Sequence, residues 1–160
     1  MVAAKAGLTL RGPIAGDDTA IGDWLPGALI VAMGDVDRAS TMTTDAVARI
    51  RGEDATARII DVDGEPAGVI VAEPDGDTLR IPLIAVHRED RQRGIGSRAI
   101  AALEREQRRK HRFLGALAPG DGRSLYFWLR LGYKPVAIEG DSGRRVWMER
   151  RESSPRRRTA

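Results

Sequence analysis

Six consecutive residues, Arg91-Gln92-Arg93-Gly94-Ile95-Gly96, combine side chains and spacing that suit an anionic ligand. Glycines two apart let a backbone come close to a ligand. If a helix begins there, its unpaired amides and the positive end of its dipole form a site for phosphate groups. Arg91 and Arg93 add charge-assisted contacts to the same anion. The bland alternative is that the glycines only make a tight turn. Two nucleotide signatures are absent: a Gly-x-Gly-x-x-Gly fingerprint needs a third glycine where the chain has Ala99, and there is no Gly-Lys-Ser/Thr loop. The chain has no cysteine, which removes thiolate nucleophiles, disulfides and Cys-based zinc sites. His87 and His111 fall on different predicted elements, so no catalytic metal is expected.

The elements that must hold this loop are legible on both sides of it. Upstream, Leu79 to Val86 is nearly continuously apolar, which predicts a central strand buried on both faces. Pro82 inside that run cannot donate a ladder hydrogen bond and predicts an irregularity or bulge. Downstream, Ile95, Ala99, Ile100 and Leu103 make a helical stripe, and Glu104/Arg108 and Glu106/Lys110 are favourable i,i+4 pairs, so Ser97 to Lys110 is a helix. Strands are predicted at Leu8–Arg11, Arg58–Val62, Ala67–Ala72, Phe113–Leu117, Lys134–Ile138 and Arg145–Met148, with turns at Asp63-Gly64 and Asp75-Gly76. A helix starts after Asp17-Asp18, and another covers Arg123 to Leu131. Between Trp24 and Met42 the breakers Pro26, Gly27 and Gly34 suggest a helix end and an irregular connection, followed by a short helix capped at Thr44-Asp45 and reaching Ile50.

Composition agrees with one soluble domain: 160 residues, 42% hydrophobic and 31% charged. No apolar run is long enough for a span or an export core, so the cytoplasm is the expected compartment. The net charge of +3 lies wholly in residues 149–160, where five arginines face two glutamates. The body is formally neutral, which argues against a nucleic-acid partner. The expectation is a domain over residues 1–150 and a basic, disordered tail over 151–160. Arg-rich, Lys-poor usage fits a GC-rich bacterial origin.

With its flanks, Val86-His87-Arg88-Glu89-Asp90-Arg91-Gln92-Arg93-Gly94-Ile95-Gly96 resembles the Arg/Gln-x-x-Gly-x-Gly/Ala signature of the GNAT acyltransferases. A second segment, Asp121-Gly122-Arg123-Ser124-Leu125-Tyr126-Phe127-Trp128-Leu129-Arg130-Leu131-Gly132-Tyr133, resembles that family's late helix. The order strand, two helices, three strands, helix, strand, helix, two strands is also the family's, over roughly Leu8 to Arg150. The resemblance implies a mixed α/β (α+β) fold. Its sheet is mostly antiparallel, six- to seven-stranded, splayed between strands 4 and 5 and flanked by about four helices. It further implies an N-acetyltransferase that uses acetyl-CoA as acyl donor, needs no metal, and passes the acetyl group to an unidentified primary amine by direct attack. Monomer and homodimer both remain open.

In that reading the cofactor is held by the backbone of Ile84, Ala85 and Val86, by Arg91, Gln92, Arg93, Gly94, Ile95, Gly96 and Ser97, and by Asp121, Ser124 and Phe127. One strand N–H polarises the thioester carbonyl. The family's leaving-group acid is a tyrosine, and the aligned residue here is Trp128, whose N–H can donate to sulfur; otherwise the thiolate leaves unprotonated. Tyr126 is a neighbour but lies about 200° round the helix from Trp128. Glu73 and His87 are the candidate bases, with water relay as the alternative. A second class of function stays open, a catalytically silent acyl-CoA-binding sensor or scaffold. The acidic residues Asp35, Asp37, Glu139 and Asp141 suggest a cationic acceptor.

Overall fold

The structure, a computed structural model, describes residues 7–87, 94–108, 110–119, 122–139 and 145–151. Eleven elements follow one another: β1 (Leu8–Arg11), α1 (Asp17–Met33), α2 (Val36–Arg51), β2 (Ala57–Val62), β3 (Glu65–Asp75), β4 (Thr78–Val86), α3 (Ile95–Gln107), β5 (Phe113–Pro119), α4 (Gly122–Arg130), β6 (Lys134–Glu139) and β7 (Arg145–Arg151). The order is the expected one. The strands form one mixed sheet, β1-β2-β3-β4-β5-β7-β6, in which only the β4–β5 pair is parallel.

Two helices are longer than the sequence suggests. α1 runs unbroken through Pro26 and Gly27 because Ile21, Leu25 and Leu29, four apart, are all buried. Burying three such side chains contributes about 1.5–3 kcal/mol each, which outweighs the roughly 3 kcal/mol of an interior proline. Gly34, at φ +65°, ends the helix by donating its N–H to the Ile30 carbonyl at 2.9 Å. The cap of α2, Asp35, then lies nine residues before Thr44, the expected cap. Asp35 accepts the Arg38 N–H at 3.0 Å, and the Thr41 and Thr43 hydroxyls donate to the carbonyls of Asp37 and Ala39 at 3.0 and 2.8 Å. The hydroxyls are thus satisfied within the helix, and burial of Ala39, Ala46 and Ile50 against the sheet holds it helical.

The helices make two layers. α1 and α2 pack with Ile59, Val69, Val71, Leu83 and Ala85 on one face of the sheet. α3 and α4 pack with Ile60, Ile70, Leu79, Ile81 and Met148 on the other. Arg11 fastens β1 to both neighbouring elements, donating to Asp17 at 2.7 and 3.1 Å and to Asp61 at 2.8 Å. Burial acts to raise the Asp17 pKa, but the hydrogen bonds from Arg11 and the Ile14 N–H, with attraction to Arg11, outweigh it and hold the carboxyl below its ordinary value. At the other end β7 continues past the expected Met148 and past residue 150. Arg151 pairs with Phe113, and Arg150 donates to Glu104 at 2.7 Å and to the Leu131 carbonyl at 3.3 Å. Arg151 thus belongs to the sheet, and residues 152–160 lie outside the described part.

Candidate functional site

The sheet forks between β4 and β5. Their pairing runs from Thr78 opposite Phe113 to Ile81 opposite Ala116 and stops there, although β4 continues to Val86 and β5 to Pro119. Beyond the fork β4 keeps its other partner, β3. The His87 N–H donates to the Ala67 carbonyl at 2.8 Å, and the register pairs Ala85 with Val69 and Ile84 with Ile70. In an antiparallel ladder the bonded pairs alternate, so Ala85 directs its backbone groups toward β3. Ile84 and Val86 direct theirs toward the gap. Of the three strand residues expected to meet a ligand, geometry thus favours Ile84 and Val86 and turns Ala85 away.

The gap leads to the start of α3. Gly94 is the N-cap in the left-handed region, φ +70°, with no atom within 4 Å of a would-be Cβ, and no side chain among the described residues caps the helix. Gly96 is constrained differently. A Cβ there would stand 3.2 and 3.4 Å from the Phe127 ring and 3.8 Å from Val86 Cγ2. Phe127 of α4 therefore packs directly on the first turn of α3, and Val86, the last residue of β4, borders the same glycine. Ile95 is buried, and Ser97 and Ser124 are half-buried in the first turns of α3 and α4. Arg91, Gln92, Arg93 and Asp121 lie outside the described residues. Gly68, which faces Val86 from β3, has no room for a side chain: a Cβ would lie 2.5 Å from the Ala85 carbonyl oxygen.

The candidate acid and base residues are dispersed. Glu73 stands opposite Arg80, six residues of β4 before Val86, and its carboxylate is held by Arg49 at 2.5 Å. Burial disfavours the Arg49 charge, yet hydrogen bonds to Glu73 and Asp45 keep its pKa above the ordinary value. Glu73 is thus engaged and away from the backbone of Ile84. His87 follows β4 on the α1 side, its ring edge-on to Trp24 at 5.4 Å. Trp128 is 3% exposed in the core between Phe127 and Tyr133, at 5.1 and 4.8 Å. Tyr126, at 62% exposure, points outward with Arg130 over its ring. Asp35 is the α2 cap, and Asp141 lies outside the described residues. Among the described residues no cluster of His, Asp or Glu is placed to hold a metal, and no helix is long and apolar enough to cross a membrane.

The parallel β4–β5 pair opens at its carboxyl end and faces a helix that starts at a glycine. Residues 32–133 match the sequence profile described as the acetyltransferase (GNAT) family. The chain belongs to the GNAT acetyltransferase family. Its fold is that of other GNAT proteins. An acetyltransferase of the GNAT family from Bacillus anthracis superposes with TM-score 0.73 at 16% identity, covering 92% of this chain and 97% of that one. The PaiA N-acetyltransferase from Thermoplasma acidophilum, solved in complex with coenzyme A, gives 0.69 at 12% identity over 91% and 99% of the two chains. The ribosomal-protein-S18-alanine N-acetyltransferase from Escherichia coli gives 0.69 at 15% identity over 96% and 99%. No curated protein matches the sequence. For this GNAT protein the fork and the start of α3 are the candidate active site.

Proposed function

We propose that this GNAT protein transfers an acetyl group from acetyl-CoA to a primary amine by direct attack within a ternary complex. The observation that carries the reading is the fork: pairing stops at Ile81 and Ala116, and the backbone of Ile84 and Val86 faces the gap. Such an edge can pair with an extended amide chain, which fits the pantetheine arm. Among the described residues the space at Gly94 is open and no side chain caps the first amides of α3, which fits a pyrophosphate. Ser97, Ser124 and Phe127 border the same place, and Arg91, Gln92, Arg93 and Asp121 join the proposal on their motif positions.

When bound, acetyl-CoA supplies an acyl group already activated as a thioester. The chain supplies position and fixed dipoles. The Ile84 N–H is a preorganised donor of the kind that favours developing oxyanion charge, and holding donor and acceptor side by side supplies much of the rate. No carboxylate is assigned as base, because Glu73 is engaged by Arg49. The proton leaves through water, with His87 as the imidazole at the end of β4. No acid is assigned to Tyr126, which faces outward, or to the buried Trp128; a thiol of pKa about 8.5 can depart as thiolate.

The test is thermal unfolding of the purified protein with acetyl-CoA and with CoA. Ligand at a hundred times its Kd adds about 2.7 kcal/mol, which for a domain of this size raises Tm by roughly 5–10 °C. Absence of any rise at millimolar ligand would overturn the site. A rise without thiol release across an amine panel would convert the reading to a silent acyl-CoA binder.

A further inference from the structure

The acceptor side of the fork carries a cationic and aromatic surface. On the sheet face that α1 and α2 share, these helices pack over β2, β3 and β4, and no helix makes its main contacts with β6 or β7 among the described residues. Val146 and Met148 turn toward the α3 layer, so Arg145, Trp147 and Glu149 turn toward this open half. Arg80, in the last-but-one pair before the fork, reaches across β5 and places its guanidinium 4.3 Å from the centroid of the Trp147 ring. It crosses at Gly115, its partner on β5, where there is no side chain in the way.

Charge on this surface is poorly matched. Glu73, opposite Arg80, is engaged by Arg49, and the acid paired with Arg80 is Asp75 at 3.6 Å, beyond hydrogen-bond length. Arg145 forms no ion pair among the described residues, and its Nε is buried without a hydrogen-bond partner. Glu139 stands opposite Arg145, and Glu149 shares a row with Arg80 through Gly115, but neither pairs with them. A buried guanidinium N–H without an acceptor calls for one from elsewhere. The forked donor set of arginine matches a carboxylate in particular.

We infer that the acceptor is a small amine carrying a carboxylate, an amino acid in type. Its carboxylate meets Arg145, its apolar part lies on Trp147, and Arg80 holds the indole and adds positive charge at the fork. This rests on the acetyltransferase reading and narrows its substrate, and it replaces the cationic acceptor suggested by the acidic loops, since Asp35 is occupied as a helix cap.

The experiment compares L-amino acids with their decarboxylated amines and their amides, by thiol release with acetyl-CoA and by thermal shift in the presence of saturating CoA. At least one amino acid should be acetylated with KM about tenfold or more below its decarboxylated analogue, the effect of losing a charged hydrogen bond. Arg145→Gln should erase that preference and the added thermal shift while leaving the shift by CoA alone unchanged. Arg145→Lys should recover part of it. Turnover restricted to amines without a carboxylate, binding of CoA without turnover of any amino acid, or an Arg145→Gln enzyme with the preference intact would each overturn the inference. Loss of stabilisation by CoA itself would instead strike the parent reading.

Discussion

Replacing Gly96 by alanine sets two effects of similar size against each other. Alanine in a helix is favoured over glycine by up to about 1 kcal/mol. At this position, however, its Cβ meets the Phe127 ring at 3.2 and 3.4 Å, and Phe127 is itself packed on Trp128 at 5.1 Å. Forcing a methyl into such a contact costs about 1–3 kcal/mol, so Gly96→Ala should lose up to about 2 kcal/mol net, a Tm drop of up to roughly 8 °C. In a Phe127→Leu background the obstructing ring is gone, and the same substitution should become neutral or stabilising. Denaturant unfolding of the four proteins reads the coupling directly. Gly94→Ala is the internal control. Its penalty, about 1–2 kcal/mol, arises from the left-handed backbone at φ +70° with open space around it, and it should be the same in both backgrounds. Equal costs of Gly96→Ala with and without the ring, within about 0.5 kcal/mol, would refute the packing of α4 on α3 described above.

Asp17→Asn should destabilise the protein at pH 7 by about 3 kcal/mol through loss of the Arg11 pair. Because the folded-state carboxyl titrates below its ordinary value, the advantage of wild type is fully present above pH about 4 and fades as the pH falls through the folded value; a gap that is constant from pH 7 to pH 3 would contradict this. Glu73→Gln should leave kcat and its pH profile unchanged on any acceptor and lower stability by no more than about 1 kcal/mol. A fall of about 100-fold or more would restore Glu73 as the base.

Much of the architecture is written in local patterns. Leu8–Arg11, the Asp63-Gly64 hairpin turn and the buried run before Val86 lie where alternation and turn residues place them, and Asp63 and Gly64 both take positive φ as such a turn needs. The two long helices were obscured by Pro26, Gly27 and Gly34, which are strong breakers in isolation, whereas the stripe Ile21, Leu25, Leu29 acts only once a sheet is there to bury it. The site divides in the same way. Glycines at 94 and 96 announce the turn that starts α3, and the angular separation of Tyr126 from Trp128 foretells that one faces out and the other in. Glu73 depends on register, which no local window contains. Arg80 and Trp147 come from strands far apart in sequence and meet only because β5 lies between β4 and β7, while Arg145 shares β7 with Trp147. Their signal before folding was no more than two arginines and a tryptophan on predicted strands.

Pro82 connects these levels. It is the first residue past the last β4–β5 pair, and it falls where the pairing with β3 shifts register between Val71 and Glu73. Before it, Leu79 and Ile81 face the α3 layer; after it, Leu83 and Ala85 face α1 and α2, while Ile84 and Val86 turn toward α3. The strand therefore rotates by one residue at Pro82, as a bulge requires. Any other residue at the point of divergence would bring a backbone N–H that the departing strand no longer accepts, and a buried orphan donor costs about 1–3 kcal/mol. Proline removes that donor, so the fork opens there with one fewer unmet hydrogen bond, and the next N–H turned toward the gap is that of Ile84. The residue that looks least suited to a central strand is the one at which the fork opens.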